Sequence, residues 1–273
     1  MRVLVFVCLA AGFTAPAAAQ VDVPFVAGCT PMFGGGDIHP IDGDCGIEGA
    51  ATAPDKKLEC RTKNNYCAAG TAARLTFWSF DRLHQLTQKS AFQLAPDRGG
   101  AKAVHTTSDG VTVGEGDLAM FTGFVIRADT ANKSAGETVN CGKGGTARND
   151  VHIHVAPTPS KAKANFCRAV IAEMSPHLRP DAWNGGNLML TDGIPVRFTG
   201  QLFYDTSHPK AECKKAAKEK AKSRTSSWEL HPVYQVDVCK NTTLAACDPR
   251  DASKWIPLDD WLAEQEDEDD DGD

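Results

Sequence analysis

The cysteines of this 273-residue chain constrain its fold more than any other feature, because the leader before them indicates an oxidising compartment. Residues 1–20 read MRVLVFVCLAAGFTAPAAAQ, with a positive Arg2, an apolar stretch and small residues up to Ala19. This pattern predicts a secretory signal peptide over residues 1–19. One of the ten cysteines, Cys8, lies in the leader, so nine remain in the mature chain. That density in a secreted protein predicts disulfide bonds.

Spacing alone does not fix how the nine cysteines pair. It suits three disulfides: Cys60–Cys67, Cys239–Cys247 and Cys141–Cys167. Nine is odd, and we expect Cys213 to be the unpaired thiol because it lies in a Lys-rich insert. The chain has no CxxC pair, so neither a zinc ribbon nor a thioredoxin-type redox motif is predicted.

Composition divides the mature chain into four parts. They are a Cys-rich N-terminal module (20–112), a β domain (113–247), a C-terminal extension (248–263) and a disordered acidic tail (264–273). The module is rich in Gly, Asp and Asn, and only a strand at 73–77 and a short helix with Ser79 as its N-cap are predicted in it. Once the leader is cleaved, no apolar run is long enough to span a membrane.

The β domain contains five predicted strands. They cover residues 116–128, 150–155, 168–174, 195–205 and 228–239. Gly123 suits a bulge or a sharp coil in the first strand, and Pro232 is expected to interrupt the fifth. With a helical segment between the third and fourth strands, this order favours a mainly β fold, a five-stranded OB-like Greek-key barrel. A β-sandwich is the alternative.

Histidines recur on the predicted strands. Because strand side chains repeat every two residues, His152 and His154 should share a face and could chelate a divalent metal such as Zn. No other cofactor is expected. By the same rule Glu229 and His231 share a face of the fifth strand, while their neighbours enter the core.

An OB-like barrel would bring several of these side chains together, because its third strand lies between the second and the fifth. The candidate catalytic residues are Glu173, His177, Arg179, Glu229 and His231, and the group could extend to Asp150 and His152. A carboxylate beside an imidazole suits general acid/base catalysis, and an arginine can hold a phosphate. A hydrogen-bonded structural cluster explains the same residues, and we favour that explanation.

The insert HPKAECKKAAKEKAKSR, residues 208–224, joins the fourth and fifth strands. In an OB barrel this connection borders the binding face. Lys214, Lys218 and Arg224, together with Arg179, are therefore candidate ligand-binding residues for a polyanion. A solvated charged loop, neutralised by the acidic tail, is the alternative.

Several strings resemble those of a group of secreted bacterial proteins of uncharacterised function. They are KNNYCAAG, GEGDLAMFTGFV, ETVNC, NDVHIHV, AEMSPHLRP, PVRFTGQLFYDTSH and WELHPVY with DVC. They cover most of residues 60–239, and the resemblance implies a secreted protein with one β-rich domain. It implies no catalytic residue.

These features favour an exported, disulfide-stabilised, OB-like binding protein of the bacterial envelope, either periplasmic or secreted. Its ligand would be an oligosaccharide, an oligonucleotide or an envelope protein. A secreted hydrolase of the phosphodiesterase or nuclease type is the alternative, and a purely structural envelope component is a third. We favour a binding protein over an enzyme.

Overall fold

The computed structural model describes residues 40–130, 132–177, 179–208 and 223–270. The predicted signal peptide and the insert residues Lys214, Lys218 and Cys213 lie outside these ranges. Within the described segments, none of the helices is both long and apolar enough to cross a membrane.

The described residues form nine strands and five α-helices. In chain order they are α1 (Pro54–Lys63), β1 (Ala73–Leu75), α2 (Phe77–Thr87), β2 (His105–Thr106), β3 (Thr112–Val113), β4 (Leu118–Thr130), β5 (Val151–Ala156), α3 (Lys163–Phe166), β6 (Val170–Met174), α4 (Gly185–Leu190), β7 (Pro195–Tyr204), β8 (Trp228–Cys239), β9 (Trp255–Pro257) and α5 (Leu258–Asp270).

Five of these strands close into a barrel. Hydrogen bonds connect them in the order β4-β5-β6-β8-β7, and β7 pairs with β4 to complete the circuit. The β6–β8 pair is parallel and the others are antiparallel. The mainly β fold with a closed five-stranded barrel is confirmed, and α4 lies between its third and fourth strands, as predicted. The strand order is the one expected for an OB-like Greek-key barrel.

Alternating side chains fill the barrel. The predicted inward residues of β7 all lie in the core: Val196, Phe198, Leu202 and Tyr204. Each such burial stabilises the fold by about 1.5–3 kcal/mol. The predicted interruption of β8 at Pro232 is wrong, because the strand runs unbroken from Trp228 to Cys239. Pro232 falls at the irregular register beside Gly200, where a ladder hydrogen bond is not required.

Gly123 lies where β4 passes from one partner strand to the other. β4 pairs with β7 through residues 118–124 and with β5 through residues 124–130. A Cβ atom at Gly123 would lie 2.6 Å from Cγ1 of Val155, so only glycine allows this approach. The register shift itself falls between Val125 and Arg127, just after the glycine.

The N-terminal module differs from the sequence prediction in two places. Thr76, not Ser79, is the N-cap of α2, and the two residues form a reciprocal capping box. Helix α1 was not predicted because PDKKLECRTK has almost no apolar periodicity, and the buried residues of α1 are Glu59 and Cys60.

The C-terminal helix α5 extends into the acidic residues at the end of the chain. Helix α5 continues to Asp270, into the segment from residue 264 for which the charge pattern predicts disorder. Leu258 and Trp261 anchor the first turns in the barrel core. Glutamate is a good helix former, so the helix propagates from that anchor.

Two disulfides join described cysteines: Cys45–Cys141 and Cys239–Cys247. The second was predicted and is confirmed. The first connects the N-terminal module to the β4–β5 loop over a sequence separation of 96 residues. A pairing over so large a sequence separation cannot be predicted from the local spacing of cysteines.

The other two predicted disulfides are wrong. Cys60 is a buried free thiol packed with Ala51 and Val139, so it does not bond to Cys67. Cys141 is already bonded to Cys45, so it does not bond to Cys167. Cys67 and Cys167 are each disulfide-bonded. The prediction that Cys213 is the unpaired thiol falls outside the described residues.

Candidate functional site

The outer face of three neighbouring barrel strands carries ionisable side chains. The register places His152 of β5 opposite Glu173 of β6, and Ile171 of β6 opposite Glu229 of β8. Because alternate residues of these strands fill the barrel, the ionisable residues project outward. With two residues from the covering segments they form what we call the acid–histidine cluster: Lys63, Glu137, Asp150, His152, Glu173, Glu229 and His231.

This outer face is covered by the chain itself. Lys63 comes from the last turn of α1, and Glu137 comes from the loop between β4 and β5. His231 is fully buried, and Asp150 is 1% exposed. His152 is the most accessible of the carboxylate-contacting histidines here, with 25% of its side chain exposed. The site is therefore closed over β8 and partly open over β5.

His231 lies at the centre of the acid–histidine cluster. Its Nδ1 atom is 2.8 Å from Oε2 of Glu173 and 3.3 Å from Oε1 of Glu229. Its Nε2 atom faces Oδ2 of Asp150 at 3.8 Å. Neither Nε2 nor Oδ2 has a hydrogen-bond partner. Two buried polar atoms that face each other without a hydrogen-bond partner are costly, and a bound ion or an ordered water would satisfy them.

His152 connects the loop to the barrel. Its Nε2 atom lies 3.5 Å from Oε1 of Glu137 and 3.4 Å from Oε1 of Glu173. Asn140 donates from Nδ2 to Oδ1 of Asp150 at 3.0 Å and to Oε2 of Glu137 at 3.2 Å. The loop carboxylates are therefore held in fixed positions beside the strand residues.

The electric field of the acid–histidine cluster is dominated by its carboxylates. Burial opposes the charged form of His231, but Glu173 and Asp150 outweigh it and raise its pKa to about 10. For His152 the same balance, set by Glu173 and Glu137, raises the pKa to about 9. Burial and the neighbouring Glu137 raise the pKa of Asp150 to about 7. The carboxylates therefore favour the protonated form of both histidines.

Two of the predicted site residues have structural contacts elsewhere. His154 shares β5 with His152, but it packs edge-on against Phe166 of α3, with ring centroids 5.5 Å apart. His177 is fully buried, and its carbonyl accepts a hydrogen bond from the hydroxyl of Tyr66 at 2.7 Å. The neighbours of His152 are therefore Glu137 and Glu173, whereas His154, the predicted second member of the chelating pair, packs against Phe166.

Both predicted ligand-binding arginines that the structure describes are engaged internally. Arg179 donates from Nη1 to the carbonyls of Asn149 and Met174 at 3.1 and 3.0 Å, and so fixes the β4–β5 loop to the end of β6. Arg224 donates from Nη1 to Glu229 at 3.1 Å and to Asp205 at 3.3 Å. Neither guanidinium is free to grip a phosphate in a bidentate way.

Sequence reasoning grouped Glu173, Glu229 and His231 and extended the group to Asp150 and His152, and the structure brings these five together. It missed Lys63 and Glu137. Lys63 ends α1 and Glu137 lies in the β4–β5 loop, so the strand alternation that placed the other residues gives no signal for them.

The described residues contain two groups with the ligand types and spacing of a metal site. Asp150, Glu173 and His231 form a buried group, and Glu137, Asp150 and His152 form a more exposed one. In each group one ligand atom per residue lies within 4.8 Å of the others. A cavity of about 210 Å³ lies at the adjoining barrel end and is lined by Arg179, Thr146, Trp183 and Asn184, among others.

Comparisons with known proteins found no family model, no curated protein and no solved structure that matches the chain.

Proposed function

We propose that this protein is an exported, disulfide-stabilised, OB-like binding protein of the bacterial envelope, with its ligand site at the acid–histidine cluster, entered from the partly open side over β5. The position of the acid–histidine cluster carries the proposal. OB barrels bind ligands on the face of their second and third strands and in the loops beside it, and the cluster lies on those strands. Burying so many ionisable groups costs more than apolar packing would, which favours function over stability as their role.

Export rests on two independent features. The leader pattern of residues 1–19 is typical of secretory proteins. The long-range disulfide Cys45–Cys141 and the local Cys239–Cys247 belong to an oxidising compartment. We therefore propose the periplasm or the extracellular medium as its location.

Charge favours one class of ligand over another. The acid–histidine cluster has four carboxylates against one lysine and two histidines. The described arginines nearby, Arg179 and Arg224, are already bound to protein acceptors. A neutral ligand such as an oligosaccharide, or a ligand bound through a cation, is therefore favoured over a polyanion.

A phosphodiester hydrolase is the second candidate, and the contact between His231 and Glu173 supports it. An imidazole 2.8 Å from a carboxylate resembles a general-base dyad. The surroundings are less suitable. Glu173 and Asp150 outweigh burial and raise the pKa of His231 to about 10, which is unfavourable for a general base at neutral pH. Arg179, proposed as the phosphate holder, is engaged with backbone carbonyls.

Amide NMR shifts of the oxidised mature protein test the proposal. Neutral oligosaccharides, single-stranded DNA and RNA are titrated in turn, and turnover of bis(p-nitrophenyl) phosphate is followed in parallel with Zn²⁺ or Mg²⁺. We expect saturable shifts at residues 137–152, 173–174 and 229–231. Ligands whose shifts all map elsewhere would refute the site. Turnover that Glu173→Gln abolishes and Asp129→Asn preserves would establish the hydrolase instead.

A further inference from the structure

We propose that Asp150, Glu173 and His231 bind a divalent transition-metal ion, for which Zn²⁺ is the reference. The inference rests on the proposed function, because it assigns a metal ion as the ligand, or as the anchor of the ligand, on that face. It is carried by the unpaired atoms at the centre of the acid–histidine cluster and by the way their neighbours orient them.

Ligand spacing is close to what a zinc ion requires. One ligand atom of each of the three residues lies within 4.8 Å of the other two. Nε2 of His231 and Oδ2 of Asp150 face each other at 3.8 Å, and neither has a hydrogen-bond partner. Two ligands of a tetrahedral zinc, each about 2.1 Å from the ion, lie about 3.4 Å apart. A shift of a few tenths of an ångström would allow both atoms to reach one ion.

The supporting contacts leave these two atoms available. Nδ1 of His231 faces two carboxylates, Oε2 of Glu173 at 2.8 Å and Oε1 of Glu229 at 3.3 Å, so Glu229 can hold the Nδ1 proton while Nε2 and Glu173 bind the metal. Asn140 donates to Oδ1 of Asp150 at 3.0 Å, which leaves Oδ2 available. Metal-binding histidines typically donate their other ring N–H to a carboxylate or carbonyl, and ligating carboxylates are held in turn by hydrogen bonds. Both supports are present here.

The charge and chemistry of the site also suit such an ion. Asp150, Glu173 and Glu229 place three buried carboxylates around one imidazole. A divalent cation would neutralise charge that two histidine protons otherwise compensate. A mixed set of imidazole and carboxylate donors suits zinc and its transition-metal neighbours, whereas calcium and magnesium sites use oxygen donors.

The second group provides an approach to the buried one. Glu137 and His152 share Asp150 with the inner group, and their side chains are 13% and 25% exposed. An ion can therefore reach Asp150 from the solvent side of β5. Because Asp150 belongs to both groups, its removal disables them together.

Zinc binding to the metal-free, oxidised mature protein tests the inference. Stoichiometry comes from elemental analysis after dialysis and affinity from titration calorimetry; Co²⁺ substitution gives a spectrum that reports donor type. We expect about one tightly held ion per chain. Asp150→Asn should weaken binding by at least about 100-fold, since even loss of a supporting contact costs 10–100-fold. It should leave the fold intact, because asparagine keeps the Oδ1 acceptor for Asn140.

Three further variants complete the test. Asp129→Asn makes the same chemical change on exposed β4, opposite His152, and should leave affinity unchanged within about twofold. Cys60→Ser removes the buried free thiol and should also leave it unchanged. His231→Gln provides a second loss of ligand should Asp150→Asn fail to fold.

The outcomes separate the two proposals. Absence of zinc binding in the wild type, retention of affinity in both ligand variants, or its loss in Cys60→Ser would overturn the metal site. If an oligosaccharide still shifts the amides of this face in such a case, the binding-protein proposal stands without the metal.

Discussion

Replacing Lys63 by methionine should destabilise the metal-free protein far more than an ordinary surface lysine would. The ammonium nitrogen lies 3.9 Å from Oε2 of Glu173, and the two side chains are 16% and 2% exposed. At an effective dielectric constant of about 20, a unit charge pair at that distance interacts by about 4 kcal/mol. Methionine recovers part of that by removing the desolvation of the lysine, so we expect a net loss of about 2–4 kcal/mol.

Urea unfolding at pH 7 in EDTA, with the disulfides intact, measures this loss. Lys161→Met is the matched control. Its ammonium is closer to its partner, 2.6 Å from Asp192, but the side chains are 50% and 47% exposed. Because water screens that pair, the control should cost less than about 1 kcal/mol. Because the exposed pair is the closer one, a larger loss in Lys63→Met must come from burial and not from a shorter distance between the charges.

The pH dependence of the Lys63→Met defect provides a second reading. In the wild type Glu173 is buried, yet His152, Lys63 and His231 hold its pKa well below the ordinary value. Without the lysine the carboxylates take up protons more easily, so the defect should shrink as the pH falls from about 7 towards about 4. Equal losses in Lys63→Met and Lys161→Met, or a defect that does not change with pH, would refute the electrostatic account of this face.

Two more predictions concern protons and cross-links. Above about pH 7, where Asp150 has titrated, the metal-free protein should lose stability up to about pH 10. The pKa values of His152 and His231 are raised in the folded state, so the stabilisation that these histidines contribute is complete below about pH 6.5 and is lost as the pH passes each folded-state pKa. Urea midpoints that do not change over this range would contradict the prediction. Changing Cys45 and Cys141 to serine should lower the unfolding free energy by about 4–5 kcal/mol. Removing the Cys239–Cys247 disulfide, with a sequence separation of only 8, should lower it by about 2–3 kcal/mol. Equal losses in urea melts would contradict the chain-entropy explanation.

The barrel was predictable because its strands alternate. β5 and β8 each place apolar residues on one face and ionisable residues on the other, and that period of two assigns each side chain to a face from the sequence alone. Glu229 and His231 were placed together for this reason, and the barrel order then brought Glu173 beside them.

The cover over that face was not predictable from the same pattern. Helix α1 buries Glu59 and Cys60 rather than an apolar stripe, so its sequence has no helical period to detect. The β4–β5 loop is held down by a disulfide between residues 96 apart and by Arg179 donating to backbone carbonyls. These are tertiary contacts, and they turn an outer face into a buried one.

His154 shows the limit of alternation even where it holds. It lies two residues from His152, as a chelating pair requires, but Phe166 of α3 packs against its ring. Of the two histidines, His152 alone belongs to a metal-capable group among the described residues. Face assignment is a property of the strand, whereas the ligand set depends on which neighbouring segments reach that face.

The measurement that tests the central claim most directly is an anomalous-diffraction map at the zinc edge from crystals of the oxidised protein grown with Zn²⁺. We expect a peak about 2.1 Å from Nε2 of His231 and from Oδ2 of Asp150, with Glu173 as a further ligand. Zinc peaks confined to other positions, with His231 and Asp150 still facing each other across an empty gap, would contradict it.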